Sequence, residues 1–182
     1  MPGKAYRVHS SRTLHRGYVF DLVKDTFSLK AHPGKLFKRE MLTHPGAVVV
    51  IPFVDRERIL LLKQFRYAAK SDLWEVPAGT LERGEATLAC AKRELEEETG
   101  FRGKKWRFLT RFYSAPGICD EIMWLYRADG LSAGKKDLDP DEWIEHRTVT
   151  LAQAVRMVRS GRIRDGKSIC AILWAAHFGP GR

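Results

Sequence analysis

The sequence predicts an α/β chain, with a small antiparallel sheet at the N-terminus followed by a body of buried strands, one central helix and two C-terminal helices. Three observations carry this. Residues 1–43 alternate polar and apolar positions, with breaks at Pro33-Gly34 and Pro45-Gly46. Ala47–Phe53 (AVVVIPF) and Ile59–Gln64 (ILLLKQ) are nearly unbroken apolar runs of buried-strand length. Glu85–Thr99 has helical spacing, with Leu88, Ala91 and Leu95 on one face and Gly100 as its stop.

Each element follows from its residues. Alternation marks Tyr18–Val23, Asp25–Leu29 and Leu36–Leu42 as strands of a short meander. The charged turn Asp55-Arg56-Glu57-Arg58 joins the two buried runs, and Leu73–Val76 is a further strand stopped by Pro77. Trp106–Tyr113 and Glu121–Tyr126 alternate as strands, Gly130–Pro140 reads as a polar loop, and Glu145–Val149 is a short strand. Leu151–Ser160 and Ser168–Phe178 are helical, with Arg156 and Arg159 set against Leu151, Val155 and Val158. The expected division is 1–45 for the meander and 46–182 for the main body, with the boundary near Thr43–Gly46.

Composition narrows the class. The 182 residues are 44% hydrophobic, enough for a real core. Cys90, Cys119 and Cys170 are scattered and form no CxxC pair, which argues against a disulfide framework or zinc site and suits a reducing compartment. No apolar run nears the roughly 18 residues of a membrane span, and the N-terminus lacks the apolar core of a signal peptide, so a cytoplasmic protein is expected. The net charge of +10 is uneven. Residues 1–40 hold nine Lys or Arg against three acids, residues 151–182 six against one, and residues 75–100 three against seven. Basic flanks around an acidic centre either solubilise the chain or draw a small polyanion to a cation-loaded site. Nucleic acid is disfavoured, because no Lys/Arg run exceeds two residues.

The acidic centre is the anomaly. Glu94, Glu96, Glu97 and Glu98 crowd the end of the predicted helix, where the macrodipole is already negative. At about 100° per residue, Glu97 lies at about 300° and Glu98 at about 40° from Glu94, so these three share a face, whereas Glu96 at about 200° points to solvent. Arg93 precedes Glu97 by four residues and can pair with it. Converging carboxylates on a rigid helix suit Mg²⁺ or Mn²⁺, and magnesium sites favour phosphoryl chemistry. The alternative is a solvated acidic face.

The segment Gly79–Phe101, GTLERGEATLACAKRELEEETGF, resembles the Nudix box, G-x5-E-x7-R-E-U-x-E-E-x-G-U, at Gly79, Glu85, Arg93, Glu94, Leu95, Glu97, Glu98, Gly100 and Phe101. At ordinary residue usage a chance match is on the order of one in 10⁸. The resemblance implies an α/β/α sandwich with a mixed sheet and hydrolysis of a nucleoside diphosphate linked to another moiety, with two or more divalent cations. It implies Glu94 and Glu98 as principal metal ligands, assisted by Glu97 and the Ala78 carbonyl, with Glu85 and Arg93 bracing the loop and helix.

Further features resemble the ADP-ribose pyrophosphatase subgroup. Leu73–Gly79 reads LWEVPAG, and Pro116 lies sixteen residues after Gly100 within SAPGICDE. The N-terminal meander resembles the sheet through which that subgroup dimerises. The subgroup implies that Arg66 contacts substrate phosphates, and that Glu75 meets the nucleoside side or pairs with Arg66. Arg39 is a candidate to reach the pocket across a dimer, with an ordinary exposed strand position as the alternative. Tyr18 and Phe20 are candidates to stack on adenine, with core or interface packing as the alternative. The general base implied is Glu142, in LDPDEWIE, with Glu145 next and Glu121 also open. The expected reaction is metal-dependent hydrolysis of ADP-ribose to AMP and ribose 5-phosphate in a homodimer. Rival readings are hydrolysis of another nucleoside diphosphate sugar, such as GDP-mannose or a UDP-sugar, an ADP-ribose sensor without catalysis, and RNA-end processing.

Overall fold

Strand β1 (Tyr6–Arg16), β2 (Asp21–Leu29) and β3 (Leu36–Thr43) form an antiparallel sheet in that order, in a computed structural model that describes residues 5–138 and 143–179. Two compact units result: Met1–Gly46 with Tyr113–Glu121, and Ala47–Phe112 with Ile122–Arg182.

In the first unit Gly17 donates its N–H to the Phe20 carbonyl at 3.0 Å, closing a two-residue hairpin loop at Tyr18-Val19. The strand expected from Tyr18 therefore begins at Asp21. Tyr18 is fully exposed and Phe20 half-exposed, which removes the core alternative for both rings. Phe27 and Phe37 face each other across β2 and β3 and stack at 5.7 Å. The loop Tyr113–Glu121 lies within the expected main body but joins this unit by its backbone bonds. Leu42 N–H donates to the Ile118 carbonyl at 2.8 Å, and Asp120 N–H to the Leu42 carbonyl at 3.1 Å.

The second unit is built on β4 (Ala47–Phe53), β5 (Arg58–Arg66), β6 (Ser71–Glu75), β7 (Ala78–Thr80), β8 (Phe101–Tyr113), β9 (Ile122–Ala133) and β10 (Ile144–Thr150). The sheet order is β10-β5-β4-β9-β8, with β6 on β5 and β7 on β4. It is mixed: β4 runs parallel to β9 and antiparallel to β7 and β5. Pro52 has no N–H to give, and β4 pairs with β5 only at Phe53 opposite Ile59.

Both faces of β4 are buried, and alternate residues serve different layers. Val49, Ile51 and Phe53 join a core with Ala154 and Met157 of α2 (Leu151–Arg159) and Ala171, Ile172 and Ala175 of α3 (Gly166–Phe178). Val48 and Val50 join Cys90, Ala91 and Leu95 of α1 (Thr87–Thr99) on the other face. Helices thus cover both faces, giving the α/β/α sandwich with mixed sheet and a separate antiparallel sheet that the sequence led us to expect. Leu95 is wholly buried, which stabilises the α1 packing by about 1.5–3 kcal/mol.

Several element ends differ from expectation. Helix α1 starts at Thr87, not Glu85, because Ala86 is its extended N-cap. Strands β8 and β9 are longer than expected, β9 continuing through Gly130 to Ala133 where a polar loop was predicted. Helix α3 begins at Gly166, because the Asp165 carboxylate caps it by accepting from Ser168 N–H at 3.0 Å. The three-residue β7 was not foreseen, being too short to show a period.

Candidate active site

The glutamates of α1 are organised by one arginine. Arg93 donates through Nε and Nη2 to the two oxygens of Glu85, both at 3.0 Å. The same guanidinium donates through Nη1 to Glu94 at 2.8 Å and to Glu97 at 3.0 Å. The four-residue spacing predicted the Glu97 pair; the others need the loop before α1, which Glu85 holds by accepting from Glu82 N–H at 3.1 Å. Arg93 holds the Glu85 carboxyl down to about 2, against a smaller opposing effect of burial. The Glu85 pair likewise raises the Arg93 pKa. Much of the negative charge at the end of α1 is thus answered by a residue of the helix itself.

Glu98 is buried and turns toward β7, where an oxygen accepts from the Ala78 N–H at 3.1 Å. Glu94 reaches the same strand. A Cβ built on Gly79 would lie 1.9 Å from the Glu94 carboxyl carbon, so only glycine leaves that carboxylate its place. The requirement is spatial, since Gly79 is not among the glycines with positive φ. Glu94 and Glu98 are therefore brought to the Ala78-Gly79 backbone, and Arg93 joins Glu97 to Glu94. Glu96 is on the other side of the helix, as its phase demands, but it is not left to solvent. Arg102 binds it at 2.7 Å and Lys135 N–H donates to it at 3.1 Å, because the extended β8 and the loop after β9 cover that face.

Among the described residues no three His, Cys, Asp or Glu side chains stand in a ready-made ligand cluster. Arg93 engages Glu94 and Glu97 directly. The donor set nevertheless fits a hard divalent cation: carboxylate oxygens from one rigid helix, with the Gly79 cradle keeping Glu94 against the strand.

A second charged group lies on β5, β6 and α3. Arg66 binds Glu75 in a fork, Nε to one oxygen at 2.9 Å and Nη2 to the other at 2.8 Å. Of the two partners weighed for Glu75, the structure displays Arg66. Lys167 also donates to Glu75 and pairs with Asp165 at 3.0 Å. Burial opposes the Glu75 charge, but Arg66 and Lys167 outweigh it and hold the carboxyl below its ordinary range. The Arg66 pKa is raised, first by the Glu75 hydrogen bond and further by the charges of Glu75, Glu98 and Asp165.

A helix expected only from Ser168 leaves Lys167 outside it, whereas the observed helix begins at Gly166. The signal available was Asp165 three residues before Ser168, an N-cap that puts Lys167 in the first turn. Ser168 also accepts from Val76 N–H at 2.8 Å, fastening the end of β6 to α3.

The remaining candidates lie apart in the chain. Arg39 is exposed on β3 opposite Asp25, in the N-terminal unit. Pro116 opens a turn in that unit, in which Ile118 and Cys119 N–H donate to the Ala115 carbonyl at 3.0 and 2.9 Å. Glu121 faces His44 at 3.4 Å in the same unit. Glu145 is exposed on β10 opposite Lys63. Glu142 lies outside the described residues.

An acid-rich helix braced by Arg93 and Glu85, packed on a mixed sheet, matches a known domain: the NUDIX domain covers residues 43–171, and the chain belongs to that family. Particular relatives sharpen the comparison. The ADP-ribose pyrophosphatase of Bacillus subtilis (strain 168) is 43% identical over 158 residues, 86% of this chain and 84% of that protein. The methanol dehydrogenase activator of Bacillus methanolicus is 38% identical over 176 residues, 93% of each. A crystal structure of an ADP compounds hydrolase aligns with a TM-score of 0.84 at 20% identity, covering 96% of this chain and 94% of that one, and shares the fold.

Proposed function

We propose that this chain is a metal-dependent pyrophosphatase that cleaves the diphosphate bond of ADP-ribose, releasing AMP and ribose 5-phosphate. The observation that carries this is the placement of Glu94 and Glu98 against the Ala78-Gly79 backbone of β7, with Arg93 tying Glu97 to Glu94. The B. subtilis relative supplies the substrate class.

Glu94, Glu97, Glu98 and the Ala78 carbonyl would hold two or more Mg²⁺ or Mn²⁺ ions, which when bound neutralise the diphosphate and make a nearby water more acidic. Arg93 keeps the carboxylates splayed and in place until then. Arg66 spends Nε and Nη2 on Glu75 and keeps its Nη1 side for a phosphate oxygen. Lys167 and Arg66 together fix the Glu75 carboxylate. Water attacks one phosphorus, its proton passes to Glu142, and the bridging P–O bond breaks toward the other phosphate. Glu145 and Glu121 are the alternative bases, separable by single Gln substitutions.

A homodimer through the N-terminal sheet suits the exposed Tyr6, Val8 and Leu14 of β1, and it gives Arg39 its route to a partner's pocket. Three free cysteines suit a reducing cytoplasm, and among the described residues no helix is long and apolar enough to cross a membrane.

The test is a panel of ADP-ribose, GDP-mannose and UDP-sugars incubated with Mg²⁺ or Mn²⁺, with products identified by mass. ADP-ribose is expected to react fastest. Preference for another sugar would move the assignment within the family, and no hydrolysis of any of them would replace catalysis with sensing.

A further inference from the structure

The groove between β10 and α2 lies on the face of the sheet opposite α1, and no part of the chemistry above uses it. Helix α2 presents Gln153, Arg156, Met157 and Ser160 along one side, the i, i+3, i+4, i+7 stripe of a helix. Met157 at the inner edge of this stripe belongs to the core, while Arg156 stands out from it. On β10, Arg147 is two residues from the buried Val149 and so shares its face, which is the face α2 covers. An arginine at the edge of a core face is not what packing alone selects.

The third arginine is aimed by the end of the helix. Gly161 takes a φ of +72°, its N–H donating to the Val158 carbonyl at 3.0 Å, and Arg162 N–H donates to the Met157 carbonyl at 2.9 Å. This is the Schellman arrangement, which satisfies the last carbonyls of α2 and folds the chain back along it. Arg162 thereby closes the groove that Arg147 and Arg156 line from strand and helix. The groove holds about 480 Å³, within the size of small-ligand sites. No acid and no aromatic ring lines it, and among the described residues none of its three arginines is in an ion pair.

We infer that this groove is a second, non-catalytic site for a small phosphorylated anion. Three arginines lining one concave surface supply the charge, and their guanidinium groups the planar, two-pronged chemistry, that suits phosphate oxygens. The lack of an aromatic ring removes a stacking platform for a base, so the ligand is held by its phosphates rather than read as a nucleoside. Inorganic pyrophosphate and a sugar phosphomonoester share this chemistry.

The test is calorimetric binding of pyrophosphate, and separately of ribose 5-phosphate, to the full chain in EDTA, which silences metal-mediated binding at the glutamates. Binding is expected in the wild type and unchanged in Glu98→Gln. It is expected to weaken by about tenfold or more in Arg147→Gln/Arg156→Gln/Arg162→Gln. Gln153→Glu is a second variant that leaves the fold intact. Gln153 forms a capping box with Thr150, and glutamate serves that box equally well while placing a negative charge in the groove. It too is expected to lose binding, with an unchanged melting temperature. The stronger of the two ligands identifies the source. Equal binding by wild type and both groove variants, no binding by the wild type, or binding only of an RNA oligonucleotide would overturn the assignment.

Discussion

Gly79→Ala should separate activity from stability. The alanine Cβ would sit 1.9 Å from the Glu94 carboxyl carbon and Oε1, against the 3.4 Å at which ordinary contact begins. The carboxylate must therefore retreat by about 1.5 Å, and misplacement of a reacting group by about 1 Å can cost about 10²-fold in rate. The fold is expected to give up little. The obstructing atoms are the far end of a flexible side chain, and alanine in a strand regains about 0.5–1 kcal/mol over glycine. The Arg93–Glu94 contact at 2.8 Å is the interaction at risk, about 0–1 kcal/mol for a partly exposed pair. Turnover of ADP-ribose in saturating Mg²⁺ should fall about 10²-fold, while the melting temperature moves by no more than a few degrees. Wild-type turnover in a folded Gly79→Ala protein would refute the placement of Glu94 in the reaction.

Other substitutions test neighbouring links. Glu96→Gln should leave turnover within about twofold, because Glu96 is bound by Arg102 on the far side of α1; a loss like that of the facing glutamates would contradict the helix phase. Glu85 is held down to about 2, chiefly by Arg93. A depressed acid stabilises the fold above its unfolded pKa of about 4.3, and that contribution fades as pH falls toward the folded value. Wild-type melting temperature should thus drop more steeply than that of Glu85→Gln between about pH 5 and 2.5; parallel curves would show that the pair contributes nothing. Lys167→Met removes one of two cations from the buried Glu75 and should cost about 1–3 kcal/mol in urea unfolding, with Arg66 retaining the rest; an unchanged midpoint would deny it that role.

What the sequence made legible was whatever repeats with a short period. The helix phase set Glu96 apart, where Arg102 and Lys135 bind it, and the four-residue step from Arg93 to Glu97 gave their pair. The apolar runs Ala47–Phe53 and Ile59–Gln64 became the two strands that carry the core. Missed contacts join residues distant along the chain. Lys167 meets Glu75 across 92 positions, and Lys135 meets Glu96 across 39. No local pattern encodes either. Tyr18 and Phe20 read as strand because aromatic residues favour strands, whereas Gly17 and the hairpin register make them a turn. The loop around Pro116 looked like part of the main body from its position after Gly100, yet its backbone bonds run to Leu42.

The most direct measurement is hydrolysis of ADP-ribose by the full chain in Mg²⁺, repeated after EDTA and with Glu98→Gln, with products weighed by mass. AMP and ribose 5-phosphate are expected from the Mg²⁺ reaction, and the rate should fall by orders of magnitude in the other two. AMP released equally fast by the EDTA-treated or Glu98→Gln protein would contradict a reaction carried by metal at the α1 glutamates.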